Sequence, residues 1–273
     1  MNPDWHADTV EVDGLRLHYT RTGGTTPLIA AHGVGDDGLC WTALATALAP
    51  EYDVIMVDAR GHGRSDAPSH GYTPALQAAD LVGVIKALGL DHPIILGHSM
   101  GAVTTLALAS MWPELPRAIL LEDPPPWWMP HTQTPTALAT RGEMSNGMAA
   151  LKRTPHAELV AGQRAAAPHW PAAEIERWAT SKQRFSHHVL GTFAENPAAG
   201  LDWAEALPRI QCPALLLTAD PAHGALVRQD DAAALQRLVP QVTIAHIAGG
   251  GHSIRHDRPD EYLAAVRTFL ARV

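Results

Sequence analysis

The sequence predicts an α/β fold, a mostly parallel sheet with helices on both faces that is broken once by a long helical insert. Three observations carry this. Short, continuously apolar runs recur, as expected of strands buried on both faces. Segments with apolar residues at helical spacing lie between them. The alternation stops at Pro124 and resumes near Cys212.

The elements follow in chain order. "TVEVDGLRLHYTR" alternates apolar and polar residues on both sides of Asp13-Gly14, which predicts a hairpin with a two-residue turn. "PLIAAHG", "DVIMVDARGHG" and "PIILGHS" each run from apolar residues into glycine and predict interior strands that end in tight loops. "TPALQAADLVGVIKALGL" opens with Thr73 as N-cap and Pro74 at the first helical position, and it stops at Gly89. "MGAVTTLALASMW" is a compact apolar helix closed by Pro113. "ILLEDPPPWW" is a strand that stops on two adjacent carboxylates, Glu122 and Asp123. From Pro124 to about Leu207 the sequence shows helical fragments without a strand, and this stretch holds five of the eight tryptophans. "CPALLLTAD", "QDDAAALQRLV", "QVTIAHIAG" and "RPDEYLAAVRTFLARV" then read as strand, helix, strand and final helix. The expected organisation is a core made of residues 1–123 and 208–273, with a helical cap at 124–207.

Composition narrows the function. The 273 residues are 46% hydrophobic and 18% charged, which suits a globular chain able to bury a sizeable core. A net charge of −8 disfavours nucleic-acid binding, which needs clustered Lys and Arg. Cys40 and Cys212 have no paired spacing and read as free thiols of a reducing compartment. The N-terminal stretch lacks the apolar core of a secretory signal, and no run reaches the roughly 18 apolar residues of a membrane span. The expectation is a cytoplasmic monomer or homodimer.

Gly97-His98-Ser99-Met100-Gly101 is a G-x-S-x-G placed between a strand and a helix, the setting of a nucleophile elbow. Such a turn lifts Ser99 clear of the sheet and aims the Met100 N–H at the carbon under attack. A serine needs a base. "GGGHSIRH" puts His252 in a glycine-rich loop before the final helix, with His256 as the alternative base. His32-Gly33-Val34-Gly35, after another strand, can offer the Val34 N–H to a developing oxyanion.

Taken together, these residues resemble the α/β-hydrolase family over nearly the whole chain. The resemblance implies a doubly wound, mostly parallel eight-stranded sheet, a Ser-His-acid triad, and a helical cap inserted after the sixth strand. The acid is where the chain departs from the commonest pattern. Most members carry it after the seventh strand in a G-x-x-D turn, but here the matching position falls on Ala222 and the nearby acid is Asp220. One subgroup of haloalkane dehalogenases and the fungal zearalenone lactone hydrolases place it ten residues after the proline that ends the elbow helix. Ten residues after Pro113 is Asp123. Asp123 is favoured, with Glu122 and Asp220 as alternatives.

The expected activity is hydrolysis of a small hydrophobic carboxylic ester or lactone through Ser99, His252 and Asp123. Val34 and Met100 form the oxyanion hole, and His32, His98, Trp127 and Trp128 are expected pocket residues. Carbon–carbon bond hydrolysis and cofactor-free oxygenase or perhydrolase chemistry are the alternatives within the fold, and a receptor on the same scaffold is the non-catalytic one. No cofactor is expected. No metal is expected either, because the histidine pairs lack zinc-ligand patterns.

Overall fold

A computed structural model describes residues 5–49, 51–191 and 201–273. β1 (His6–Val12) and β2 (Leu15–Arg21) form the hairpin. Its turn is Asp13-Gly14, both at positive φ (48° and 80°), as a two-residue turn matched to strand twist requires. β3 (Thr26–Ala31), β4 (Tyr52–Val57), β5 (Ile94–His98), β6 (Ala118–Glu122), β7 (Ala214–Thr218) and β8 (Val242–His246) complete one sheet. Its order is β1-β2-β4-β3-β5-β6-β7-β8. β2 runs antiparallel to both of its neighbours, and the strands from β4 through β8 are parallel.

The continuous apolar runs have a direct cause. Successive side chains of a strand point to opposite faces. Ile29, Ile95, Ile119 and Leu121 enter the core cluster on one face, whereas Leu28, Leu96, Ala118 and Leu120 enter the cluster on the other. Both faces are covered by helices, so both sets of positions must be apolar.

α1 (Thr42–Leu48) is a helix that the sequence reading did not single out. α2 (Pro74–Ala87) begins as predicted, with the Thr73 hydroxyl accepting the Leu76 N–H and Pro74 in the first turn. α3 (Met100–Met111) is buried along all but its last residue. Between β6 and β7 the described residues contain helices and no strand. The principal ones are α4 (Pro135–Arg153), α5 (His156–Ala166) and α6 (Ala172–Arg184). After β7 come α7 (Gln229–Leu238) and, beyond β8, α8 (Pro259–Leu270). None of the helices among the described residues is long and apolar enough to cross a membrane.

Candidate active site

Parallel strands carry their following loops to the same edge of a sheet, so the C-terminal ends of β3, β5, β6 and β8 share one rim. In the β5–β6 register His98 stands opposite Glu122. Ser99 and Asp123 are therefore the next residues on neighbouring strands. Both leave the sheet at positive φ, 51° and 42°, an unusual conformation for a side-chain-bearing residue. Among the described residues, the other non-glycine ones with positive φ are Asp13, in the hairpin turn, and His92, just before β5. Local strain thus concentrates where β5 and β6 end.

The glycines of the elbow are explained by distance. A Cβ on Gly97 would stand 2.3 Å from the Gly101 oxygen, and one on Gly101 would stand 2.2 Å from the Ala31 oxygen. The elbow is thereby pressed against the end of β3. A Cβ on Gly33 would meet His98 Nδ1 at 2.8 Å, so the His32–Gly35 turn lies directly beside Ser99. The Ser99 N–H donates to the Glu122 carbonyl at 3.0 Å, which locks the elbow to β6.

The two adjacent carboxylates point to opposite faces and do different work. Asp123 is fully buried, and its Oδ2 accepts the His252 Nδ1–H at 2.6 Å. The Leu226 and Val227 N–H groups also donate to this carboxylate, at 2.8 to 3.0 Å. An ionised carboxylate accepts only, so these three donors fit its charged form. Glu122 faces the other way and pairs with Arg255, three residues beyond His252. It therefore lies away from the imidazole and does not take the alternative acid's place. Asp220 does not take it either. Its carboxylate accepts from His246 Nε2 at 3.0 Å and from the Gly249 N–H at 2.6 Å, and the Gly249 bond chiefly holds it below the ordinary carboxylate range. Asp220 shapes the glycine loop from outside, because its short side chain is used up three residues before His252.

His252 is tied at a second point, where His98 Nε2–H donates to its carbonyl oxygen at 2.9 Å. The two rings lie 4.7 Å apart. His256, the alternative base, is buried against Trp170 with ring centroids 4.5 Å apart, and burial holds it neutral, well below the ordinary histidine range. It lies in the short helix Ile254–Asp257 and faces α6, with its Nδ1 4.0 Å from Glu174.

A cavity of about 330 Å³ opens beside Ser99. Val34, Ser99 and Met100 border it from the core, and Trp127, Arg141 and Met144 border it from the segment after β6. Three expected pocket residues lie elsewhere. His32 is buried with both ring nitrogens occupied, accepting from the Ala59 N–H at 3.0 Å and donating to the Gly33 oxygen at 2.7 Å. His98 is turned toward the His252 carbonyl. Trp128 packs on the core and donates to the Asp231 oxygen at 3.0 Å.

Some positioning residues were missed by sequence reasoning. Lys182 of α6 donates to the Gly35 carbonyl at 3.0 Å and also pairs with Asp36, so a helix of the insert grips the turn next to Val34. Burial alone would raise the Asp36 carboxyl, but Lys182 and Arg255 outweigh it and hold the group far below its usual range. Asp257 accepts from the Gly251 N–H and from Trp170 Nε1, both at 2.8 Å, joining the histidine loop to the insert. One signal was available for Glu122: two adjacent carboxylates and a single histidine leave one charge unanswered, and Arg255 lies just past His252. Among the described residues no cluster of His, Cys, Asp and Glu suits a metal ion. The Cys40 thiol is buried, and burial pushes it well above its ordinary range.

Comparison with known proteins agrees with this fold. The profile of the "Alpha/beta hydrolase family" matches residues 28–265. The chain is similar to N-formylmaleamate deformylase of Pseudomonas putida, at 30% identity over 96% of this chain and 95% of the relative. It is also similar to 2-(acetamidomethylene)succinate hydrolase of Mesorhizobium japonicum, at 26% identity over 96% and 94%. Among solved structures, an E-2-(acetamidomethylene)succinate hydrolase superposes with a TM-score of 0.81 at 24% identity, covering 98% of this chain and 99% of that one. An N-acyl homoserine lactone degrading enzyme superposes at 0.77 and 24% identity, covering 96% and 100%. At these identities the structural likenesses speak for the fold.

Proposed function

The chain belongs to the α/β-hydrolase family, and from that premise we propose that it is a serine hydrolase that cleaves a small, largely apolar carboxylic ester or lactone through an acyl-enzyme. The observation that carries the reading is the buried carboxylate–imidazole pair, Asp123 to His252 at 2.6 Å, on the same rim as the strained Ser99. Because Asp123 accepts the Nδ1 proton, the imidazole keeps Nε2 free to act as a base. His252 takes the Ser99 hydroxyl proton as Oγ attacks the carbonyl carbon. The Met100 and Val34 N–H groups stabilise the oxyanion. His252 then gives the proton to the leaving oxygen, and the carbon–oxygen bond breaks. A water repeats the sequence on the acyl-enzyme and frees Ser99.

In this reading residues 124–207 are the cap, and the cavity bordered by Trp127, Arg141 and Met144 is the acyl or alcohol pocket. The protein works as a cytoplasmic monomer or homodimer without a cofactor. A second reading is favoured by the two relatives matched across 96% of the chain, one a deformylase and the other a hydrolase of an acetamido compound. In that reading the scissile bond is an N-acyl amide, and the same residues protonate a nitrogen. Carbon–carbon bond hydrolysis remains the alternative with a carbon leaving group.

A fluorophosphonate probe tests the catalytic reading. One equivalent should attach to Ser99, and mass spectrometry of the digest should find it on the peptide holding the elbow. A folded protein that stays unlabelled would overturn the reading. A panel of p-nitrophenyl esters, aromatic lactones and N-formyl amides then separates ester from amide cleavage.

A further inference from the structure

Four cationic side chains are buried among the described residues: Arg60, Arg141, Lys182 and Arg255. Three of them face carboxylates. Arg60 pairs with Asp80, Lys182 with Asp36, and Arg255 with Glu122. Arg141 is the exception. It is 7% exposed, yet its one hydrogen-bond partner is neutral, the Thr132 carbonyl, which accepts from Nη2 at 2.8 Å. Nη1 is shut off from solvent and has no acceptor among the described residues. Burial pulls the group below its ordinary value, and no neighbouring charge opposes this. A guanidinium nevertheless stays protonated in proteins. An uncompensated buried charge is costly, and folded chains avoid it unless something supplies the missing anion.

The place of Arg141 says where that anion comes from. The residue borders the same cavity as Ser99, and among the described residues the rest of that lining carries neither aspartate nor glutamate. Two acids stand behind the lining, and each is already engaged: Asp123 accepts from His252 and from the Leu226 N–H, and Asp231 accepts the Arg228 backbone N–H at 2.9 Å and stands 3.7 Å from His131. Arg228 adds a second positive charge on the lining, this one exposed. The walls around them are apolar, Trp127 and Met144 among them.

We infer that Arg141 is a specificity residue that binds a carboxylate of the substrate, so the preferred substrate is an ester, lactone or amide whose otherwise apolar acyl or leaving part bears an anionic group remote from the scissile carbonyl. The inference rests on the serine-hydrolase reading for the bond that is cut, but the anion subsite can be tested without turnover. A planar carboxylate takes two parallel N–H donors from one guanidinium, and among apolar walls this pairing is strong. A neutral ester of the same length gains nothing there and leaves the charge unanswered.

The test compares p-nitrophenyl butyrate with the mono-p-nitrophenyl ester of glutaric acid, in wild type, Arg141→Met and Arg141→Lys. The wild type should favour the anionic ester in kcat/KM. Arg141→Met should reduce that selectivity by about 10- to 100-fold, and Arg141→Lys should reduce it less, because it keeps the charge and loses the fork. Equal losses on both esters, or a wild type that favours the neutral one, would overturn the subsite. Binding is read separately by titrating glutarate into Ser99→Ala and following Tm. Glutarate should raise the Tm of Ser99→Ala and leave that of Ser99→Ala/Arg141→Met unmoved. Without glutarate, adding Arg141→Met should keep or raise Tm, since a buried unpaired charge is removed. A Tm lowered by several degrees would show instead that the guanidinium holds the fold. If wild type cleaves neither ester while glutarate still stabilises through Arg141, the catalytic reading fails and the subsite stands. If the esters are cleaved and glutarate has no effect, the subsite fails and the catalytic reading stands.

Discussion

Glu122 and Arg255 form an ion pair that solvent does not reach. The guanidinium Nη1 lies 3.1 and 3.2 Å from the two carboxylate oxygens, and the Arg255 backbone N–H donates to Oε1 at 3.2 Å. Arg255 also lies over the Trp41 ring at 4.4 Å. With Asp123 holding His252, the end of β6 is fastened twice to the loop that carries the imidazole. Glu122→Gln keeps the shape and removes the charge, leaving Arg255 with Asp36 at 3.8 Å. Breaking a buried pair on one side costs about 3–5 kcal/mol, and the urea midpoint should fall accordingly. Glu122→Leu with Arg255→Met should recover much of that loss. A single variant with an unshifted midpoint would mean that the pair holds nothing together.

Ser99→Ala should abolish turnover and leave the urea midpoint near that of wild type. Loss of a triad nucleophile costs on the order of 10⁶ in kcat. A purified variant that retains a tenth of the activity on any substrate would remove Ser99 from the mechanism.

Asp123→Asn should lower kcat by about 10⁴. Its amide offers a donor where His252, Leu226 and Val227 all need an acceptor, so the wrong imidazole tautomer is favoured. Asp220→Asn should cost far less, since Asp220 touches Gly249 and His246 instead of His252. Circular dichroism controls the folding of both. A dead Asp220→Asn beside an active Asp123→Asn would reverse the assignment.

Lys182→Met should act on the His32–Gly35 turn, which the proposed mechanism uses for the oxyanion. It removes the grip of α6 on the Gly35 carbonyl and Asp36. Small displacements of catalytic groups cost up to about 100-fold, so kcat should fall by about 10- to 100-fold while KM changes little. A rise in KM alone would place Lys182 in substrate binding.

Stability should fall on acidification, starting near pH 6. Burial lowers His62 to about 3 and holds His98 and His256 well below the ordinary histidine range. In the unfolded chain they take up protons below about pH 6.5, while in the fold they stay neutral. The unfolded state therefore binds more protons as pH drops, and stability falls with it. Each such group contributes a slope of about 1.4 kcal/mol per pH unit. Tm measured from pH 7.5 to 4.5 should decline steeply below pH 6, and a Tm that is constant to pH 5 would contradict the neutral burial of these histidines.

Most local signals were legible in the sequence, α1 (Thr42–Leu48) excepted. Asp13-Gly14 needs two positive φ angles, Thr73-Pro74 supplies a cap and a pre-set first turn, and the continuous apolar strands require cover on both faces. The elbow could be read because Gly97 and Gly101 answer a close approach of backbone that no larger residue survives. Asp123 was favoured as the acid only through the family resemblance, by its distance from Pro113, with Glu122 and Asp220 left open beside it. What only the tertiary structure decided concerns side chains distant in sequence. Which of two adjacent carboxylates meets the imidazole depends on the face each takes as β6 ends, and Asp123 leaves at positive φ. His32, His98 and Trp128 carry the right chemistry for a pocket, but their partners, Ala59, the His252 carbonyl and the Asp231 carbonyl, are set by packing. Lys182 reaches Asp36 across 146 residues, and Arg141 is left without a counter-charge only because of what the fold places around it. Backbone preferences act over a few residues and can be read along the chain. Charge pairing and burial act through space, so they exist only once the chain has closed on itself.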